Sequence, residues 1–416
     1  MSANTGTSPA ARKALITGST SGIGQAAAER LSDTTAFYLL ASVTVTFLAG
    51  SSAPTPIYAL YQEEWLFSSI TMTIIFGIYA LAVLGALLVA GRLSDHIGRR
   101  PVLIAATLAQ AATMWLFATA HGVTDLLVAR VIQGLSTGAA VAAVGAGLLD
   151  LDRTRGAIAN AVAPMLGTAT GAIAAGLAVQ FLPAPTQLVY AILGVVFVAQ
   201  GAGIALMKET VTPRAGAWSS LVPQFSVPSA LRTPVAFAIP ALIATWALAG
   251  FYGSLGPTLL RGLLGFGSPL LGGLALFVLA GSGSLSVLLL QKHDPRRMLG
   301  LGALGLFAGV AITLASLGAN SVIAFFAGTA LAGAGFGAGF QGAVRTVVPF
   351  AKPHERAGVL SVLFVVSYLA MGVPAVLAGF LVVHDGSVIA TAREFGSVVM
   401  ILAAIALAGT LWRDPA

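Results

Sequence analysis

The 416-residue chain has no cysteine and very little charge, with 21 Lys plus Arg and 14 Asp plus Glu amounting to 8% of its residues. Without cysteine there is no disulfide and no thiolate metal site, and five scattered histidines make no ligand cluster, so no metal is implied. The scarcity of charge excludes an ordinary soluble domain, in which about a quarter of residues are charged. No Gly-x-x-x-x-Gly-Lys-Ser/Thr loop is present to cradle a nucleotide triphosphate, so ATP-driven work is not indicated. What the chain has in quantity is apolar surface: 57% of residues are hydrophobic and the mean hydropathy is +0.93. This is the composition of a protein that crosses a bilayer many times.

Twelve apolar runs follow residue 33, at approximately 34–60, 67–90, 101–120, 124–149, 157–182, 187–207, 234–260, 268–291, 298–317, 320–348, 357–383 and 394–412. Each is close to the ~20 residues that span a membrane as a helix. The expected fold is therefore an all-α membrane protein of twelve transmembrane helices. One long polar interval, 208–233, carries Pro213, Pro223 and Pro228 and separates a bundle at 34–207 from a second at 234–416. The halves echo each other: Asp152-Arg153-Thr154-Arg155-Gly156 opens span 5 as Glu355-Arg356-Ala357-Gly358 opens span 11, so two pseudo-symmetric six-helix bundles are expected. The net charge of +7 does not indicate nucleic acid, because the basic residues form small groups between spans rather than one stripe. They set orientation instead. With the N-terminus inside, seventeen of the 21 basic residues fall in cytoplasmic segments and only Arg261 and Arg393 face out, which places both termini in the cytoplasm.

The most informative stretch is Gly91-Arg92-Leu93-Ser94-Asp95-His96-Ile97-Gly98-Arg99-Arg100, a short basic hairpin between spans 2 and 3. It resembles the signature loop of the major facilitator superfamily, with Gly91, Leu93, Asp95, Gly98, Arg99 and Arg100 in register and His96 where the family usually has Arg or Lys directly after the acid. The resemblance covers roughly 34–412. It implies a secondary transporter that moves a small organic solute by alternating access, most simply by proton-coupled efflux, with proton-coupled uptake as the alternative. It also implies a latch: Asp95 meets the helix 11 N-terminus at His354 to Gly358, which includes Glu355 and Arg356, while Arg99 or Arg100 pairs with Asp150 or Asp152.

Arg130-Val131-Ile132-Gln133-Gly134 resembles the Arg-x-x-Gln-Gly pattern of helix 4 in the same superfamily. A charge inside a span is costly and faces a cavity or a partner. Gly167, Gly171 and Gly176 in span 5 are similar to the glycine-rich helix of proton antiporters, although Ala172 replaces that pattern's proline. The family's cavity is lined by helices 1, 4, 7 and 10, on which the candidates are Tyr58, Arg130, Gln133, Trp246, Tyr252, Phe336, Phe340, Gln341 and Arg345. Aromatics with few charges suit a fairly apolar or amphipathic solute, and no span holds an acid near its centre.

The first 33 residues are distinct. Lys13 to Leu31 resembles the opening of a short-chain dehydrogenase, with Gly18, Gly22 and Gly24 in a turn between a strand and a helix pattern. A membrane-tethered NAD(P)-dependent oxidoreductase is the rival reading. Against it, no lysine has Tyr four positions earlier, and the acid expected ~20 residues on would fall within span 1. The segment is expected to be dispensable. No cofactor and no nucleic acid is expected; the expected partners are the solute, protons or another coupling ion, and the bilayer, with the chain acting as a monomer.

Overall fold

The structure is a computed structural model that describes residues 31–264, 268–352 and 354–411. The dehydrogenase-like turn at Gly18, Gly22 and Gly24 lies outside the described residues. Within them, twelve helices are long and apolar enough to span a membrane: α1 Asp33–Trp65, α2 Ser69–Ala90, α3 Arg99–Ala118, α4 Val123–Leu151, α5 Arg153–Phe181, α6 Pro185–Ala205, α7 Arg232–Leu264, α8 Pro269–Leu290, α9 Pro295–Ala319, α10 Val322–Val347, α11 Arg356–Asp385 and α12 Val388–Leu411. The chain alternates direction through them. One end of the molecule carries the 91–98 loop and the polar linker, the Arg99 end; the other carries the α1–α2 turn, the Glu63 end.

Several helix boundaries follow from the local sequence. Ser32, Ser68, Ser268 and Ser321 each accept a backbone amide from the first turn of α1, α2, α8 and α10, and Asp152 and Asp294 do the same for α5 and α9. α1 is interrupted at Ala53, where Pro54 and Pro56 remove two donors from its continuation. Asn320 and Gly386 adopt left-handed conformations that end α9 and α11.

Packing shows the two-fold relation between halves directly. In the first bundle α1 packs on α5, α2 on α4 and α3 on α6; six helices later α7 packs on α11, α8 on α10 and α9 on α12. Across the interface α2 meets α11 and α5 meets α8, which the same pseudo-symmetry exchanges. Small residues permit these approaches where lipid offers no hydrophobic drive between helices. Gly302 and Gly309 of α9 lie against Gly339 and Ala332 of α10, and Gly273 of α8 lies against Ala172 and Gly176 of α5. Large apolar side chains on the outer faces, such as Val195 at 70% and Leu289 at 68% exposure, would be an anomaly in water and are the surface a bilayer covers.

Candidate functional site

In the first bundle a guanidinium is sealed in the core. Arg130 on α4 is fully buried, yet its surroundings hold no carboxylate partner among the described residues. Nε donates to the Tyr58 hydroxyl at 2.5 Å, and one terminal nitrogen donates to the Ser51 carbonyl at 2.9 Å and to Gln133 Oε1 at 2.5 Å. The other terminal nitrogen has no acceptor. Three rings complete the cage, with Tyr79, Tyr58 and Phe117 centred 5.1, 5.3 and 5.7 Å from the guanidinium carbon. Neutral acceptors and ring faces together offset a desolvation cost that an isolated buried cation would not survive.

The sequence motif explains how the cage assembles. Gln133 is one helical turn past Arg130 and shares its face, so its Oε1 meets the guanidinium while its Nε2 donates to the Gly50 carbonyl of α1 at 3.0 Å. Gly134 lets α2 approach: a Cβ there would fall 2.7 Å from the Tyr79 carbonyl. That approach brings the Tyr79 ring over Arg130, and its hydroxyl donates to Ser51 Oγ at 2.8 Å. Ser136 extends the network to Gln110 Oε1 at 2.6 Å. Two acids of the Glu63 end are engaged elsewhere: Asp125 accepts the His121 amide at 2.8 Å, and Glu63 lies 3.6 Å from Arg261.

The second bundle presents an aromatic wall. Trp246 of α7 is half-buried, with Tyr368 of α11 at 5.0 Å, Phe340 of α10 at 5.4 Å and Phe336 at 6.4 Å between ring centroids. Phe76 and Ala80 of α2 pack against this cluster from the first bundle, and Met165 of α5 packs beside Phe336 and Phe340. The wall therefore stands at the interface of the two halves. Gln341 is half-buried next to it on α10. Tyr252 and Arg345 lie elsewhere. Tyr252 is buried inside the second bundle, hydrogen bonded to Thr329 at 2.8 Å, and Arg345 is directed to the α8–α9 connection, where it donates to the His293 carbonyl at 3.2 Å.

At the Arg99 end the hairpin is held by charge. Arg99 is buried and reaches Asp95 at 2.5 Å, Ser94 at 2.7 Å and Asp150 of α4 at 3.2 Å. Asp95 thus engages its own loop in this structure, and Gly358, near the start of α11, lies against Ser226 of the linker. Arg100 donates to the carbonyls of Ile204 and Ala205 at the end of α6. Asp152 caps α5, Glu355 accepts the Lys352 amide at 3.0 Å, and Arg356 donates to the Ala351 carbonyl at 3.1 Å. Gly98 has φ of +103°, a conformation that requires glycine, whereas Gly91 is helical and close to the Leu87 carbonyl. Gly167 and Gly171 face α1 at Val45 and Ala49, so they serve contact within the first bundle.

Four participants escaped the sequence reading. Tyr79, Phe117 and Tyr368 lie on helices 2, 3 and 11, outside the set taken to line the cavity. Glu209, in the linker, accepts the Arg99 and Arg100 amides at 2.8 and 3.1 Å. A carboxylate just past the 187–207 apolar run was the only signal it gave.

Twelve membrane helices in two pseudo-symmetric bundles, with a buried polar cage in one and an aromatic wall at their interface, have the architecture of a membrane carrier. The Major Facilitator Superfamily model matches residues 40–292, and the chain belongs to that family of secondary transporters, which are not enzymes. It is similar to the multidrug resistance protein MdtL of Klebsiella pneumoniae strain 342, 28% identical over 317 residues that cover 71% of this chain and 75% of that protein. The MdtL of strain ATCC 700721 / MGH 78578 is 27% identical over 316 residues, again 71% and 75% of the two chains. Among solved structures, a bacterial homologue of the human lysosomal transporter Spinster, inward-facing and unoccupied, superposes with a TM-score of 0.73 at 14% identity, covering 92% of this chain and 99% of that one. The human organic anion transporter MFSD10 gives 0.64 at 17% identity, covering 91% and 100%. At these identities the two structures speak to fold alone.

Proposed function

We propose that the chain exports a small amphipathic organic solute across the cytoplasmic membrane by alternating access, driven by proton antiport. The observation that carries the efflux reading is the 28% identity with a multidrug resistance protein across three quarters of its length. The geometry supports it. A half-buried wall of Trp246, Phe340 and Tyr368 at the bundle interface offers stacking surface without a fixed negative charge, which suits a flat apolar or amphipathic solute. Arginine is not a proton carrier in proteins, so Arg130 is assigned a different part. The role of Arg130 in this reading is a fixed positive charge within the core of the first bundle, whose field favours an anionic group over a second cation.

Orientation belongs to the same proposal. The Arg99 end carries most of the basic residues and is the cytoplasmic end, with both termini there. Hydrogen bonding and ion pairing between the halves at the Glu63 end then make this an inward-facing arrangement. The test is flux in everted membrane vesicles with neutral, anionic and cationic fluorescent dyes. Efflux requires energy-dependent uptake of at least one dye, abolished by a protonophore. Accumulation only in right-side-out vesicles would reverse the direction, and insensitivity to the protonophore would remove the proton.

A further inference from the structure

Proline has no N–H, so in a helix interior it leaves the carbonyl four residues earlier without its usual donor. α7 contains Pro257, and the carbonyl it leaves free is that of Gly253. This carbonyl is not orphaned. Thr55 Oγ1 of α1, in the other bundle, donates to it at 3.0 Å, and Thr55 is buried at 2% exposure. Gly253 has no side chain to obstruct the approach, and a Cβ there would fall 2.7 Å from the Phe76 ring of α2. Two turns further on, Glu63 of α1 lies 3.6 Å from Arg261 of α7. The Glu63 side chain is 66% exposed, so that pair contributes little. The buried hydrogen bond is the stronger tie.

We propose that Thr55 and Pro257 form a gate at the Glu63 end, in which a carbonyl released by proline in one bundle is captured by a hydroxyl of the other only while that end is closed. The inference rests on the alternating-access reading and adds the residues that time it. When the bundles part at this end, water can satisfy the Gly253 carbonyl, so opening costs one hydrogen bond and leaves no orphan. When they are closed, only Thr55 reaches it. Removing the hydroxyl therefore leaves a buried unsatisfied carbonyl in the closed state alone, and the population shifts toward opening.

The chain lacks cysteine, so a single reporter is clean. Leu260 of α7, seven residues past Gly253 and on the same helix face, is 2% exposed in the core, and maleimide labelling of a Leu260→Cys protein in nanodiscs reports opening. Thr55→Val should raise the labelling rate about 3- to 10-fold, the span expected for one net hydrogen bond, while Thr55→Ser leaves it near the parent value. Pro257→Ala restores an N–H that recaptures the Gly253 carbonyl within α7. It should raise labelling by itself, and adding Thr55→Val should then change nothing. A Thr55→Val effect that multiplies with Pro257→Ala, or no Thr55→Val effect at all, overturns the gate. Labelling is independent of transport: loss of dye flux in the parent protein with the expected labelling pattern would sink the carrier and leave the gate, and flux with multiplying effects would do the reverse.

Discussion

Arg130 shows how much one residue type can decide inside a membrane. Its guanidinium supplies three hydrogen bonds to Tyr58, Ser51 and Gln133 and lies among three ring faces, a geometry that a planar fork can satisfy and an ammonium cannot. Arg130→Lys keeps the charge and loses the fork, so flux is expected to be partly impaired. Arg130→Ala leaves the Ser51 carbonyl and Gln133 Oε1 without this donor, at roughly 1–3 kcal/mol for each group that water does not reach. Its expected signature is loss of gradient-driven flux with residual ligand binding, and a lowered Tm. Normal flux in the Ala variant at normal expression would remove Arg130 from coupling and leave it a packing residue. The pair Arg130 and Gln133 was legible in the sequence because both sit on one helix at a spacing of one turn. Their rings were not, because Tyr79 and Phe117 arrive from α2 and α3, and the approach of α2 depends on Gly134, whose partner a single sequence does not reveal.

At the scale of elements, the clearest case is the start of α3. Four segments converge there: the hairpin, the end of α4, the end of α6 and the linker. Glu209 accepts the Arg99 and Arg100 amides and complements the positive end of the α3 dipole, while Arg99 ties Asp95 and Asp150 together. Thr210 adds a hydrogen bond to Asp150 at 3.0 Å. Glu209→Ala is expected to lower stability by about 0.5–2 kcal/mol, the usual worth of a side-chain cap, with Glu209→Gln losing less because one acceptor oxygen remains. Thermal unfolding in one detergent measures both, and equal Tm values for all three proteins would reduce Glu209 to a bystander. From the sequence, the hairpin showed its glycines and its charges, and Asp95 was expected at the start of α11. The structure has it on Arg99. Which of two partners a loop carboxylate takes depends on how far apart the bundles stand at that end, and that is a property of the conformation.

The whole molecule was the most legible level, because lipid imposes the simplest rule: a backbone that cannot bond to water must close its hydrogen bonds within helices, and twelve apolar runs become twelve helices. Charge asymmetry then carries an orientation that helix packing cannot. Of the 21 basic residues, seventeen fall in segments on the Arg99 side when the N-terminus is placed there, and two fall on the Glu63 side. Translocating even a few of them would be unfavourable, so the Arg99 end is expected to remain cytoplasmic. A reporter active only outside the cell should be on when fused at Glu63, near the end of α1, or at Gly122, between α3 and α4. The same reporter should be off at Asp95, at Gly216 in the linker, and at the C-terminus. Deleting residues 1–32 should not change the pattern, because seventeen less the three basic residues removed still leaves fourteen against two. An inverted pattern would turn the closed gate toward the cytoplasm and make this arrangement outward-facing. Termini on opposite sides would contradict an even number of spans, and one of the twelve helices would then have to lie outside the bilayer.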